Sequence, residues 1–367
     1  MSNSRYVDLL SSLALVAIFA ATGSVASAQD KPLVKVRIVA ATGVLDVSYP
    51  TMTLPVTLGY WKQEGYDVDV QPAGGSLQMV QQLVGGNADF GAGSGSAIVQ
   101  GDGKNGLTMR VVAMISASDW SLAVDADGPI KSAKDLKGKT IGVFNLATGG
   151  IAFLNGLLRA NGLDPAKDIQ MLPLGMGAAP VEAMRSGKVQ GLIYWGSATA
   201  SFENAGLKLR RIVGEDWGSY PEYTLTALQT TADRDPAMII GIARGVAKAQ
   251  VFALANPECA VKLHWAHYPQ QKPAGVDDAT RMKRDMHSLE TNLASNVSAY
   301  KQFGGGKQWG RFDLAAWQRL SAFMLEAKQI DSPFDAKSLE LHIPNLYEKT
   351  NTFDKSAIEN SAKDCKF

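Results

Sequence analysis

Apolar positions along the chain fall into short runs that switch between a strand-like and a helix-like period. Val34 to Ala40 reads as a buried strand, a helix carrying Leu54, Val56, Leu58 and Trp61 follows, and Tyr66 to Val70 alternates as a second strand. The next helix opens at Gly74-Gly75-Ser76, with Leu77, Met79, Val80, Leu83 and Val84 as its inward face. Ala88 to Phe90, a helix starting near Ser94 and a strand from Met109 to Ile115 continue the alternation. Strand and helix in this order predict a mostly parallel α/β sheet.

At Asp125 to Gly138 the chain becomes polar and turn-rich, with Asp127-Gly128-Pro129 and Leu136-Lys137-Gly138. Trp120 to Val124, just before it, reads as a crossover into a second lobe. There the alternation restarts: strand Thr140 to Phe144, helix Thr148 to Asn161, strand Asp168 to Leu172, helix Ala178 to Ser186, strand Val189 to Trp195, and a further helix and strand reaching Val213. Gly162 stands where a helix C-cap needs it. Tyr223 to Thr230 returns as a second crossover, and the chain from Asp235 onward is mainly helical. The expected organisation is a first lobe over 29–124, a second over 125–228, and a return to the first with a helical C-terminal extension over 229–367. Two crossovers make a hinge around a cleft.

The N-terminus adds a compartment. Arg5 precedes an apolar stretch from Leu9 to Ala21 and the small-residue run Val25-Ala26-Ser27-Ala28, which predicts a secretory signal peptide over 1–28 cleaved after Ala28. That stretch is too short to span a bilayer, and no cysteine follows the cleavage site to carry a lipid. A periplasmic protein is expected, with no other segment apolar enough to cross a membrane. The formal charge of +1 and the lack of a basic run argue against nucleic acid. Cys259 and Cys365 are free to pair in an oxidising compartment, although their spacing alone does not decide whether they do.

Several runs resemble the nitrate, sulfonate, taurine and thiamine-pyrimidine-precursor binding family, a branch of the type II periplasmic binding proteins. They are Gly59-Tyr60-Trp61-Lys62-Gln63-Glu64-Gly65-Tyr66-Asp67-Val68, Gly74-Gly75-Ser76 and Gly85-Gly86-Asn87-Ala88-Asp89-Phe90-Gly91 in the first lobe. Ile130-Lys131-Ser132, Asp135 to Val143, Gly162-Leu163-Asp164-Pro165 and Ser186-Gly187-Lys188-Val189 follow in the second. Their order holds over about residues 33–265. The resemblance implies two mostly parallel sheets flanked by helices, a two-strand hinge, a small-molecule ligand, an ABC transporter membrane permease as partner, and a monomer without cofactor. In two places the chain departs from the pattern: Gln190-Gly191 replaces the usual Asp-Ala pair, and Gly196 replaces a proline often seen after the preceding aromatic.

Three helices begin with glycine or small polar residues directly after strands: Gly75-Ser76, Ser94-Gly95-Ser96 and Ala147-Thr148-Gly149. Unpaired N–H groups and the helix dipole favour an anionic or strongly polar ligand there, and the carboxyl ends of strands are where open α/β sheets bind ligands. Ordinary N-capping is the competing explanation for each residue alone. Aromatics complete a small-molecule site. Tyr49, Trp120, Tyr194 and Trp195 fall at strand ends or crossovers, and Trp217, Tyr220 and Tyr223 near the second hinge. Core packing is preferred for Tyr60 and Trp61, whereas core and cleft roles stay equally open for Trp120 and Trp195. Gly175-Met176-Gly177 brings backbone N–H groups to the cleft or forms a tight turn. The expected binding set is therefore Tyr49, Gly75, Ser76, Ser94, Ser96, Trp120, Thr148, Gly149, Gly177, Trp195 and Tyr223.

No catalytic or metal residue is expected. The chain lacks a Gly-x-Ser-x-Gly elbow, a His-Glu-x-x-His helix, a Walker loop and a dinucleotide turn. His264 and His267 read as a solvated helix face. A receptor delivering a small polar or anionic organic solute (sulfonate, nitrate-like anion, pyrimidine or aromatic carboxylate) is the expected function. The alternative is an enzyme of the same two-lobed fold acting on a small metabolite, of the menaquinone-pathway or pyrimidine-synthesis type.

Overall fold

The computed structural model describes residues 32–105 and 108–366. The expected signal peptide and its cleavage site lie outside the described residues. The chain opens with β1 (Val34–Ala40), α1 (Pro50–Thr57), α2 (Tyr60–Gln63), β2 (Tyr66–Pro72), α3 (Ser76–Val84), β3 (Phe90–Ser94), α4 (Gly95–Asn105) and β4 (Met109–Met114). A second run holds β5 (Ser121–Asp125), β6 (Lys139–Val143), α5 (Gly150–Ala160), β7 (Ile169–Pro173), α6 (Ala178–Arg185), β8 (Gly191–Tyr194), α7 (Gly196–Asn204) and β9 (Leu209–Ile212). Then come β10 (Tyr223–Leu228), α8 (Gln229–Arg234), α9 (Pro236–Ala255), α10 (Pro257–His267), α11 (Asp278–Gln302), α12 (Leu314–Glu326), α13 (Leu346–Asn351) and α14 (Lys355–Asp364).

These strands form two five-stranded sheets of order β2-β1-β3-β10-β4 and β7-β6-β8-β5-β9. β2, β1 and β3 are parallel, as are β7, β6 and β8. β10 runs antiparallel to β3 and β4, and β5 antiparallel to β8 and β9. The fold is that of the type II periplasmic binding proteins: two mixed sheets, each flanked by helices. In each lobe the antiparallel strand is the first one laid down after the chain arrives from the other sheet.

The change of sheet therefore comes ahead of β5 and ahead of β10, in segments 115–120 and 213–222, whereas the expected boundaries at 124/125 and 228/229 follow those strands. The pattern of these short apolar strands does not reveal which sheet receives them. The two crossing segments lie side by side: Ala117 bridges Pro221, Ser118 N–H donates to Tyr220 O at 2.9 Å, and Glu222 N–H donates to Ser116 O at 3.0 Å.

Local chemistry explains several differences from the expected elements. The single helix expected around Leu54 to Trp61 is two, because Gly59 adopts φ +67° between α1 and α2. On α3, Met79, Val80 and Leu83 are buried, but Val84, the last residue of the helix, is exposed. Trp61 is core, as expected, and its Nε1 donates to Ile242 O at 3.0 Å. α9 is long and apolar enough to span a bilayer, with mean hydropathy 1.5, contrary to the expectation that no other segment qualifies. It is instead a largely buried core helix, packed against α1, α13 and α14, and its Arg244 and Lys248 both pair with Glu64, at 2.6 and 3.3 Å.

His264 also departs from expectation. It is buried rather than solvated, with Nε2 against Gln271 Oε1 at 3.1 Å, and desolvation pushes its pKa down to about 4. Cys259 on α10 and Cys365 just beyond α14 form a disulfide, resolving the pairing that spacing left open.

Candidate functional site

A cavity lies between the lobes, at the carboxyl ends of the strands, the usual position of a small-molecule site in open α/β sheets. The first lobe contributes Tyr49, Gly75, Ser76 and Ser94, and the second Phe144, Thr148 and Trp195. From the crossing segments come Ser116, Asp119, Trp120 and Glu222, from the start of β10 Tyr223, while α11 adds Asn292 and Ser295. Among the described residues that line the cavity, none is Lys, Arg or His.

Each wall is placed by its local fold. Tyr49 is the N-cap residue of α1, held where Pro50 starts the helix. Ser76 and Ser94 sit at the starts of α3 and α4, and Ser76 Oγ accepts from Ser94 N–H at 3.2 Å. Trp195 is the N-cap residue of α7. The indoles of Trp120 and Trp195 meet edge-on at 5.7 Å between centroids, Phe144 meets Trp195 edge-on at 5.7 Å, and Tyr49 and Tyr223 are tilted at 5.7 Å. Such contacts are the usual geometry of aromatic pairs. Here they build an aromatic box.

Three hydrogen bonds cross directly from lobe to lobe beside the cavity: Asn145 Nδ2 to Gly74 O at 2.7 Å, Leu77 N to Ala147 O at 3.2 Å, and Ser96 Oγ to Gly149 O at 3.2 Å. The lobes are in a closed arrangement.

Eight of the eleven expected residues thus meet in one cavity. Ser96 and Gly149 lie next to it in the seam between the lobes, where Ser96 Oγ also shares a 2.8 Å hydrogen bond with Ser94 Oγ. Gly177 does not line it. The Gly175-Met176-Gly177 turn stands behind the wall, where Gly175 N–H donates to Phe144 O at 2.9 Å and Tyr194 Oη donates to Gly175 O at 2.7 Å. Tyr194, Trp217 and Tyr220 are buried and likewise outside the lining.

Sequence reasoning missed Asp119, Glu222 and the two α11 residues. Glu222 is 6% exposed, and its Oε2 has no hydrogen-bond partner within the protein. Burial pushes its pKa up to about 8; Trp120 and Ser94 beside it oppose the shift only in part, and the Asp119 charge adds to it. Asp119 rises to about 6, again through burial, with the Gly196 N–H and the more distant Arg211 pulling the other way. Trp120 Nε1 and Tyr223 Oη are also buried without partners. Among the described residues, no group of three or more His, Cys, Asp or Glu could hold a metal ion.

A family model described as NMT1/THI5 like matches residues 52–260. The chain belongs to this NMT1/THI5-like family. The matched span carries most of the recurrent runs and ends beyond the second crossing. This NMT1/THI5-like chain is 25% identical over 244 residues, 63% of its length and 72% of the relative's, to YtlA, a candidate binding protein of Bacillus subtilis (strain 168). Its fold matches that of the alkanesulfonate-binding protein SsuA from Xanthomonas axonopodis pv. citri bound to MOPS, with TM-score 0.62 and 14% identity over 85% of this chain and 99% of that one. It also matches the desulfurization enzyme DSZB, with TM-score 0.56 and 15% identity over 86% and 99% of the two chains. Receptors and an enzyme therefore share the architecture.

Proposed function

We propose that this chain is the periplasmic solute receptor of an ABC importer, exported by its first 28 residues, that closes on a small polar organic molecule and presents the closed form to a membrane permease. The observation that carries this reading is the cavity itself: both lobes and both crossing segments line it, so a solute held there bridges them. A ligand that touches both lobes favours closure by its differential affinity for the closed state. Asp119, Trp120 and Glu222 sit on the crossing segments and Tyr223 opens β10 directly after the second, so bending about the hinge and contact with solute are coupled there.

The test is a thermal-shift screen of residues 29–367 against sulfonates, nitrate, aromatic carboxylates, pyrimidines and organic amines. A ligand at 100 times its dissociation constant adds about 2.7 kcal/mol to the native state, a clear rise in melting temperature. Response to one class, with scattering that shows compaction, supports the receptor. Silence across all classes overturns it.

The likeness to the desulfurization enzyme keeps one second reading, an enzyme acting on a small metabolite. Mass analysis of the responding solute after prolonged incubation separates the two: a receptor returns it unchanged, an enzyme does not.

A further inference from the structure

The polar groups of the cavity are not those of an anion site. Two carboxyl side chains, Asp119 and Glu222, face it, and its lining includes no cationic side chain. The helix starts that suit an anion are in part already used. Leu77 N–H at the start of α3 donates to Ala147 O across the cleft at 3.2 Å, Gly95 N–H at the start of α4 donates to Glu222 O at 2.8 Å, and Ser94 N–H is taken by Ser76 Oγ. An exposed helix terminus contributes only about 0.3–1 kcal/mol to holding an anion, whereas an anion placed beside the Asp119 carboxylate is opposed in a low-dielectric setting.

Asp119 is built in rather than incidental. Gly196 donates its N–H to the carboxyl, and a Cβ at that position would stand 2.5 Å from Asp119 Oδ2. A proline there would offer no N–H at all, so glycine both seats the acid and satisfies it. Glu222 has the side chains of Trp120 and Ser94 beside its carboxyl, yet its Oε2 stays buried at the cavity with no partner in hydrogen-bond geometry. Tyr49, Trp120, Phe144, Trp195 and Tyr223 line the same cavity as the two acids, a setting that attracts a planar or cationic group.

Resting on the receptor reading, we infer that the cavity takes a planar solute bearing an amine or amidine-type group, whose N–H donors are held by Glu222 and Asp119, and that it discriminates against sulfonates and carboxylates. Glu222 holds its proton near neutrality, and the titratable or charged groups around it are Asp119, Tyr49 and Tyr223 at the cavity with Arg211 behind Asp119. Capture of a cation ionises it, so the affinity for a cation rises with pH up to about 8.

The experiment uses matched flat probes, benzamidine, benzoate and benzenesulfonate, in thermal-shift and calorimetric titrations of residues 29–367 at pH 6 and pH 8. Benzamidine is expected to bind, at least tenfold more tightly than either anion and more tightly at pH 8 than at pH 6. Glu222→Gln and, as an independent variant, Asp119→Asn should each weaken it at least tenfold. Benzenesulfonate or benzoate binding better than benzamidine, or benzamidine binding both variants as tightly as the wild type, overturns the inference while leaving a receptor. No binding of benzamidine, benzoate or benzenesulfonate overturns it as well, and the wider solute screen then decides separately whether the receptor reading stands.

Discussion

Glu222 is a carboxyl that burial shifts strongly from its ordinary range, and its ionisation has a consequence for stability. A carboxyl whose pKa rises from 4.5 to about 8 on folding keeps its proton in the native state where the unfolded chain has lost it. The unfolded state binds fewer protons between those pH values, so stability falls as pH rises from about 4.5 to 8; Asp119, raised from 3.8 to about 6, acts in the same direction over the lower part of that window. Glu222→Gln removes the larger contribution. The unliganded variant should be more stable than the wild type by on the order of 2 kcal/mol at pH 8, with a flatter dependence of melting temperature on pH between 5 and 8. A variant less stable than the wild type at pH 8 would mean that the carboxylate serves the fold. Both acids escaped the sequence reading, although each immediately precedes an aromatic that it singled out: Asp119 before Trp120, Glu222 before Tyr223. A lone acid in the run Ser116-Ala117-Ser118-Asp119-Trp120 belongs to no catalytic or metal motif. Its meaning comes from burial, which only the packing of two distant crossing segments creates. Tyr49, Ser76, Ser94 and Thr148 were legible because strand-end and helix-start positions are periodic features of the chain itself.

Among elements, α14 shows how a marginal helix is kept in place. Within Lys355–Asp364 only Ala362 is fully buried, so little apolar area holds the helix against its neighbours. The Cys259–Cys365 disulfide joins its end to α10, while Asn256, the N-cap of α10, donates from Nδ2 to Ala362 O at 3.0 Å. Linking residues 106 apart in sequence restricts the unfolded chain strongly, and losing such a link costs typically about 2–4 kcal/mol. Cys365→Ser is expected to lower the melting temperature accordingly. Dithiothreitol should reproduce the loss in the wild type and add nothing in the variant. Because the staple lies away from the cavity lining, solute affinity measured below the transition should be unchanged. The pairing was open in the sequence because two cysteines in an oxidising compartment state an opportunity, not a distance. α11 was opaque for a related reason. The sequence announces helix there but not that α11 packs against α7, supplies Asn292 and Ser295 to the cavity and accepts at Ser295 O a hydrogen bond from Ala117 N–H of the first crossing segment, 3.1 Å away.

At the scale of the whole molecule, the proposed receptor function rests on whether the two lobes can reach the closed arrangement. The seam tolerates very little added volume at Gly149, where a Cβ would stand 2.3 Å from Ser94 Oγ and 2.5 Å from Ser94 Cβ. Neither neighbour is the far end of a flexible side chain, so a larger residue there must separate the lobes or displace the start of α5. Gly149 has an ordinary helical φ of −57°, which any residue adopts; the demand for glycine comes from the opposite lobe alone. Gly149→Val should therefore leave each lobe intact, and the unliganded melting temperature close to that of the wild type, while opposing closure. Solute affinity is expected to fall at least tenfold, about 1.4 kcal/mol, and small-angle scattering should no longer show compaction on saturation. Asn145→Ala offers a milder probe of the same step, since it removes the 2.7 Å bond to Gly74 O, together with the local bond from Ala147 N–H to Asn145 Oδ1 at 2.9 Å, without adding bulk; its effect on affinity should be smaller. If Gly149→Val bound solute as tightly as the wild type and still compacted, the direct lobe-to-lobe contacts around Ser94 and Ser96 would be incidental to binding. The energy of closure would then have to reside in the ligand's own contacts with the crossing segments.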